Sequence, residues 1–185
     1  MSTRKHLAEI QAMVANLIGV EGWLVGGCVR DTLSGEEPRD YDYAIICPDF
    51  TDAEAFQLLE AISVRLSLQG IASAVHGAYG QGTVGDFSTD YVSKVNNFQD
   101  KWLGHLAFEH QNTKVDVLIT GYNMRRLLAH FDCNMNRVCF NHGTKRIVGS
   151  FPVVLEFNEG VQAERIAYMQ SKFFKYWSTH DANPA

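Results

Sequence analysis

Leu24-Val25-Gly26-Gly27-Cys28-Val29-Arg30-Asp31 is the stretch that decides the fold, and a turn-rich spacer joins it to Arg39-Asp40-Tyr41-Asp42-Tyr43-Ala44. A short apolar run that ends in two glycines is typical of a buried strand followed by a tight turn. The residues from 28 to 33 are predicted to open a helix. Backbone N–H groups at such a helix start favour an anion. A second strand is predicted over residues 41–46.

Two carboxylates, Asp40 and Asp42, stand one residue apart at this second strand. Residues two apart on a strand point to the same face, so both carboxylates are expected to reach one point in space. Two like charges that close need a divalent cation between them, or one must be protonated. Mg²⁺ or Mn²⁺ suits carboxylate ligands. Acidic pairs at strand ends are usually solvated, so the prediction depends on the conjunction with the glycine turn and Arg30.

A third carboxylate, Asp116, lies in a predicted β-hairpin with strands at 105–110 and 114–119. Val115, Val117 and Ile119 share one face of its second strand, and Asp116 shares the other face with Leu118. A charge inside an apolar strand needs a partner or a cation. Asp116 is interpreted as a third metal ligand if its strand lies beside residues 41–46; the alternative is an edge-strand carboxylate paired with Lys114.

Three carboxylates beside a phosphate-binding turn predict two-metal phosphoryl transfer. In that chemistry one ion lowers the pKa of the attacking hydroxyl. The other neutralises the triphosphate and the leaving pyrophosphate. A small α/β domain with a mixed, largely antiparallel sheet flanked by helices fits this arrangement.

The composition sets limits on domain number, partners and compartment. With 185 residues, 46% of them hydrophobic, we expect a single domain over residues 1–185. A formal net charge of -5 argues against bulk electrostatic coating of nucleic acid. The four cysteines form no CxxC pair, which favours a reducing cytosol and a cytoplasmic protein. We expect neither a membrane segment nor a targeting segment, and the sequence carries no signal for oligomeric state.

Helical spacing of apolar residues predicts the remaining elements. Helices are expected over 4–18, 50–69 and 124–131, the second with a capping box formed by Thr51 and Glu54. A strand is expected over 147–151 and a helical appendage over about 161–177. On that last helix the interpretation places Arg165, Lys172 and Lys175 in solvent. The glycine-rich stretch from 77 to 103 has no sustained period and no assigned role. Its aromatic residues, Tyr79, Phe87, Tyr91, Phe98 and Trp102, are suited to stacking on a base, but the preferred interpretation is local packing within a long loop.

The motif from Leu24 to Leu33, with Asp40-Tyr41-Asp42 after it, resembles the signature of class II tRNA nucleotidyltransferases (CCA-adding enzymes) and bacterial poly(A) polymerases. These belong to the DNA polymerase β-like nucleotidyltransferase superfamily. The resemblance covers residues 23–147, a head-like core. It implies a polymerase β-like fold and transfer of a nucleoside monophosphate from an NTP to an acceptor hydroxyl. The implied acceptor is an RNA 3′ end, most plausibly that of tRNA.

The same resemblance implies roles for individual residues. Asp40, Asp42 and Asp116 would be the catalytic metal ligands. Gly26, Gly27 and Arg30 would hold the triphosphate, and Asp132 and Asn136 would face the ribose and phosphates, in a segment similar to the family's RRDxTxN motif. This chain has His130-Phe131 where the family has two arginines, and Asn134 where it has threonine.

Two other interpretations of the function stay open. One is a non-catalytic nucleotide-binding or regulatory module, and the departures around Asp132 favour it. The other is a toxin-like transferase that modifies tRNA or protein. The length left after residue 147 is too short for the family's neck, body and tail, which choose the base and grip tRNA.

Overall fold

A computed structural model describes residues 3–76, 102–141, 143–144 and 146–180, with side chains described as far as residue 177. Most of the unassigned glycine-rich stretch therefore lies outside the described residues. Four of its aromatic residues, Tyr79, Phe87, Tyr91 and Phe98, lie there, whereas Trp102 is described and buried.

A mixed seven-stranded sheet forms the centre of the described structure. Its strands are β1 (Trp23–Val25), β2 (Tyr41–Ile46), β3 (Ser73–His76), β4 (Gly104–His110), β5 (Thr113–Thr120), β6 (Cys139–Asn141) and β7 (Arg146–Val148). They are arranged in the order β3-β4-β5-β2-β1-β6-β7. Neighbours pair antiparallel except β2 and β5, which run parallel. The predicted α/β class, with a small, largely antiparallel sheet, is confirmed.

Among the described residues, five helices accompany the sheet. They are α1 (Thr3–Ile18), α2 (Gly27–Leu33), α3 (Asp52–Ser67), α4 (Met124–Ala129) and α5 (Ala163–His180), and a 3-10 turn spans Asn134–Asn136. The capping box at the start of α3 is confirmed, because the Thr51 side chain accepts from the Glu54 N–H while Glu54 accepts from the Thr51 N–H. Among the described residues, none of the helices has the length and apolar character needed to cross a membrane.

The two faces of the sheet carry different side chains. On the first face, alternate residues of β2 and β5 join α1 and α3 in the main core, which includes Leu7, Val14, Tyr43, Leu59, Ile62, Val117 and Ile119. On the second face, Ala44 and Leu118 join residues of α4 in a smaller core. Asp42 and Asp116 occupy positions on this second face, as the period-2 alternation predicts. The sheet thus buries one face under two long helices and leaves part of the other half-open around the carboxylates.

Three short strands depart from the sequence prediction. β3 and β6 were not predicted, and the strand expected over 147–151 is instead Arg146–Val148. Strands of three or four residues are too short for an alternation of apolar and polar residues to stand out. Their pairing with β4 and β1 stabilises them, and sequence periodicity does not report such pairing.

Substitution of Leu59 by alanine tests the packing of α3 on the sheet. Leu59 is 0% exposed, so removal of its side chain should lower the free energy of unfolding by about 2–5 kcal/mol. Leu68, just beyond the same helix, is 84% exposed, and Leu68→Ala should change it by less than about 0.5 kcal/mol. Urea unfolding of both variants measures the difference; equal losses would contradict this packing.

Candidate active site

The Gly26-Gly27 turn lies between β1 and α2. Gly26 has φ 69, a left-handed conformation that glycine adopts without strain, and it serves as the N-cap of α2. Its N–H donates to the Val138 carbonyl at 2.8 Å. A Cβ at this position would lie 2.8 Å from the Phe131 ring. Glycine is therefore required at position 26 both by backbone conformation and by the close approach of Phe131.

Asp42 and Asp116 are direct partners in the parallel pairing of β2 with β5. The two side chains therefore share one face of the sheet on adjacent strands. The role expected for Asp116 requires this adjacency, and β5 does lie beside β2.

The alternative interpretation of Asp116 as an edge-strand carboxylate paired with Lys114 is wrong. β5 is an interior strand between β4 and β2. The Asp116 side chain, 26% exposed, lies 3.0 Å from Nε2 of His105. Lys114 is instead opposite Glu109 on β4.

Asp40 precedes β2 at a bend and forms an ion pair with Arg39, with Nε 3.0 Å from Oδ2. The Arg39 side chain is 85% exposed, and an ion pair in water contributes little to stability. Within the described parts of the chain, no group of three or more His, Cys, Asp or Glu side chains is placed to hold a metal ion. The structure thus pairs Asp42 with Asp116 and leaves Asp40 turned toward Arg39.

Cys28 lies behind the carboxylates, with its thiol donating to the Val25 carbonyl at 3.3 Å. Burial raises the pKa of this thiol, and the negative charges of Asp42 and Asp40 act in the same direction. The protonated, buried thiol is suited to packing rather than to nucleophilic chemistry.

Arg30 and Asp31 on α2 form a buried ion pair with 2.6 Å between Nη2 and Oδ1, and Arg30 is only 5% exposed. Asp31 also accepts from Lys172 Nζ at 2.9 Å and from the Tyr176 hydroxyl at 2.6 Å, both on α5. Burial alone would raise the pKa of Asp31, but the Arg30 charge and the bonds from Tyr176 and Lys172 hold it below its ordinary value. The bonds to Asp31 therefore hold α5 against α2, the helix that follows the glycine turn.

A second set of bonds connects Arg30 to the segment that resembles the RRDxTxN motif. Arg30 Nη1 donates to the Asn136 side-chain oxygen. Asn136 Nδ2 then donates to Asp132 Oδ1 at 2.6 Å, and Arg165 of α5 pairs with Asp132 Oδ2 at 2.5 Å. Burial would raise the pKa of Asp132, but Arg165, Asn136 and the Cys133 N–H lower it. Three of the predicted nucleotide-binding residues, Arg30, Asp132 and Asn136, thus belong to one continuous polar network.

The expectation that Arg165 and Lys172 point into solvent is wrong, because each is half-buried and pairs with a carboxylate. Lys175 is mostly exposed and pairs with Glu36 at 2.7 Å. Asp31, His105 and Tyr176 are not among the site residues predicted from the sequence. A charged pair inside the otherwise apolar α2 was the one signal that could have identified Asp31.

Comparison with solved structures finds tRNA-processing enzymes at low sequence identity. An apo form of a tRNA-processing enzyme is 16% identical, with a TM-score of 0.47 over 82% of this chain and 33% of that chain. The Bacillus stearothermophilus CCA-adding enzyme in complex with CTP is 16% identical, with a TM-score of 0.43 over 82% and 31%. A tRNA nucleotidyltransferase complexed with a primer tRNA and an incoming ATP analog is 17% identical, with a TM-score of 0.38 over 83% and 34%.

This chain spans about a third of the length of those structures. No protein-family model matches the sequence. A search of curated proteins also finds no match.

Substitution of Tyr176 by phenylalanine tests the hydrogen bond that joins α5 to Asp31 of α2. The change removes the hydroxyl that donates to Asp31 and keeps the buried ring, so the free energy of unfolding should fall by about 1.5–3 kcal/mol. Tyr168→Phe on the exposed side of the same helix is the matched control and should have no measurable effect. Chemical unfolding compares the two variants, and an unchanged stability of Tyr176→Phe would show that this hydrogen bond does not stabilise the packing of α5 on α2.

Acid should weaken the same network. The pKa values of Asp31 and Asp132 lie below the ordinary value of 3.8, so their contribution to stability is complete above about pH 3.8. It is lost as the pH falls below that value through the folded-state pKa values. We expect the unfolding free energy of Asp31→Asn to fall less than that of the wild type between about pH 4 and pH 2. Parallel pH profiles for the two proteins would contradict the assignment for Asp31.

Proposed function

We propose that this chain is a metal-dependent nucleotidyltransferase, which moves a nucleoside monophosphate from an NTP to an acceptor hydroxyl with release of pyrophosphate. The observation that supports it most directly is the in-register pairing of Asp42 with Asp116 on one face of the sheet. The second support is the glycine turn at Gly26, which leads into α2 immediately after β1. We assign the carboxylates on β2 and β5 to a cation, and the glycine turn at the end of the neighbouring strand β1 to the phosphates.

The donor set fits a hard divalent cation, Mg²⁺ or Mn²⁺, since carboxylate oxygens are the ligands such ions take. Asp42 and Asp116 would hold the cation from adjacent strands. Asp40 would join them by leaving its weak, solvent-exposed pair with Arg39. Such ions supply charge neutralisation and a lowered pKa at the attacking hydroxyl.

The reaction then divides among this chain's own residues. Asp40 and Asp42 would hold the cation through which the α-phosphate is oriented, and Asp116 would complete the site and help to activate the acceptor hydroxyl. The hydroxyl gives its proton to water and its oxygen forms a bond to the α-phosphorus, while the bond from that phosphorus to the bridging oxygen breaks and pyrophosphate leaves. The Gly26-Gly27 turn would hold the triphosphate through the N–H of Gly27, since the Gly26 N–H donates to the Val138 carbonyl.

Arg30, Asp132 and Asn136 are assigned to the nucleotide subsite. The hydrogen-bonded chain that joins them begins on α2, directly after the glycine turn. Their mutual bonds hold the side chains in fixed orientations before nucleotide binds, which limits the entropy lost on binding. In this assignment Asp132 and Asn136 contact the ribose and phosphates, and Arg30 supports the triphosphate.

The acceptor that we propose is an RNA 3′ end, most plausibly that of tRNA, and the site of action is the cytoplasm. The whole activity is assigned to one domain over residues 1–185, with α5 as an appendage of the head-like core. The acceptor assignment follows from the family resemblance of the motifs rather than from a surface of this chain.

A second candidate function is nucleotide binding without transfer. The departure of the segment around Asp132 from the family's motif favours it, since Asn134 stands where the resembling family has threonine. His130 and Phe131 also stand where the resembling family has arginines. The pair of carboxylates on β2 and β5 favours transfer, because two negative charges held close together repel each other and a protein that only binds nucleotide has little need of them.

Incubation with each labelled NTP, Mg²⁺ and total RNA separates these functions. Transfer predicts label on RNA, with release of pyrophosphate. Label on protein would instead support a toxin-like transferase. NTP binding with no label on either acceptor would support the non-catalytic module and reject transfer.

Asp42→Asn is the variant that tests the metal ligand. The substitution removes a charge without a change in volume, so the fold should stay intact while transfer falls by more than about 100-fold, beyond the loss typical of outer-shell residues. Asp49→Asn, an exposed aspartate in the loop after β2, should keep wild-type activity. Initial rates and circular dichroism measure both; full activity in Asp42→Asn would reject the assignment.

A further inference from the structure

A fully buried histidine contacts Asp116 from the neighbouring strand. His105 on β4 is 0% exposed, and its Nε2 lies 3.0 Å from Asp116 Oδ1. A carboxylate oxygen accepts hydrogen bonds, so this contact is a hydrogen bond in the imidazole tautomer that carries its hydrogen on Nε2. The imidazole therefore donates to one of the two oxygens of Asp116.

Strand register explains how His105 reaches the carboxylate. In the antiparallel pair β4 and β5, Ala107 is directly opposite Asp116, and His105 is opposite Leu118. His105 and Asp116 are thus diagonal neighbours on one face, a separation that long aromatic side chains can span.

The ring of His105 is also held from its other side. His76 on β3 is the direct cross-strand partner of His105, and the two rings stack with centroids 5.5 Å apart and planes 15° apart. A ring fixed between a stacked neighbour and a hydrogen bond has little rotational freedom. The orientation of Asp116 is consequently set by a rigid group and not by solvent.

We infer that His105 is a positioning residue for Asp116. Its hydrogen bond occupies Oδ1 of that carboxylate and fixes the rotation of the group, so that Oδ2 is available to the cation. This inference rests on the proposed function, since it gives Asp116 the role of a ligand. Hydrogen-bond partners of ligating carboxylates typically change metal affinity or activity by about 10–100-fold when removed. His105 touches neither nucleotide nor acceptor in this assignment.

Two substitutions at position 105 separate positioning from packing. His105→Leu keeps an apolar side chain of similar size and removes the donor, whereas His105→Gln keeps an N–H donor on a side chain of similar reach. Binding of Mn²⁺ alone to the full chain is measured by electron paramagnetic resonance. The transfer rate is measured against Mg²⁺ concentration. Thermal unfolding is measured for both variants.

His105→Leu should weaken Mn²⁺ binding and raise the Mg²⁺ concentration at half-maximal rate by about 10-fold or more, with the NTP KM unchanged. His105→Gln should bind Mn²⁺ and respond to Mg²⁺ almost as the wild type does, with a melting temperature similar to that of His105→Leu. Equal metal dependence of the wild type and His105→Leu would overturn the inference. Equal losses in the two variants would also overturn it, because the effect would not follow the donor.

A spectroscopic measurement on the wild-type chain covers the case in which His105→Leu does not fold. Imidazole ¹⁵N–¹H correlations should show a slowly exchanging Nε2–H for His105, and Asp116→Asn should shift or remove it. A His105 ring protonated only on Nδ1 would overturn the inference. A third outcome separates this inference from the proposed function. If Mn²⁺ binding is weaker in His105→Leu than in the wild type but the wild type transfers no nucleotide, the proposed function is rejected and His105 remains the positioning residue.

Discussion

The parallel pairing of β2 with β5 is the constraint on which the rest of the site depends. It is the single parallel contact among the described strands, and its register sets Asp42 beside Asp116. A slip of one residue would turn every side chain of the moved strand to the opposite face. Asp116 would then enter the core formed with α1 and α3, and Val117 would leave it. The packing of Tyr43, Val117 and Ile119 on the first face therefore fixes the carboxylates on the second.

A second constraint comes from the buried polar network around α2. Asp31 and Asp132 each form an ion pair with a basic side chain of α5, and hydrogen bonds of Arg30 and Asn136 connect the two pairs. Loss of one partner in such a network leaves a buried charge uncompensated, which costs more than the pair itself contributes. The aromatic cluster of Phe151, Phe173 and Tyr176 packs α5 on its apolar side. The C-terminal helix thus stabilises the element that follows the glycine turn, although the two are far apart in sequence.

Local signals predicted much of this structure. The bounds of β2 agree with the apolar run from residue 41 to residue 46, and Thr51 with Glu54 correctly predicted the start of α3. The hairpin of β4 and β5 turns at Gln111 and Asn112, both with positive φ, as its polar turn sequence indicates. Each of these signals acts between residues that are close along the chain.

Long-range contacts account for what the sequence could not predict. Arg165 and Lys172 lie on the polar side of an amphipathic pattern, and nothing in that pattern reports carboxylates on α2 or next to the 3-10 turn. His105 carried no motif, and its role follows only from the register of β4 with β5. The adjacency of Asp116 to Asp42 was stated as a condition, because strand order is not encoded in either strand alone.

A crystal structure of the full chain with Mn²⁺ and a non-hydrolysable NTP, read by anomalous scattering, would locate the cation directly. We expect a Mn²⁺ peak coordinated by Asp42 and Asp116, with the triphosphate against the Gly26-Gly27 turn. A bound nucleotide with no metal at these carboxylates, or with its phosphates away from that turn, would contradict it.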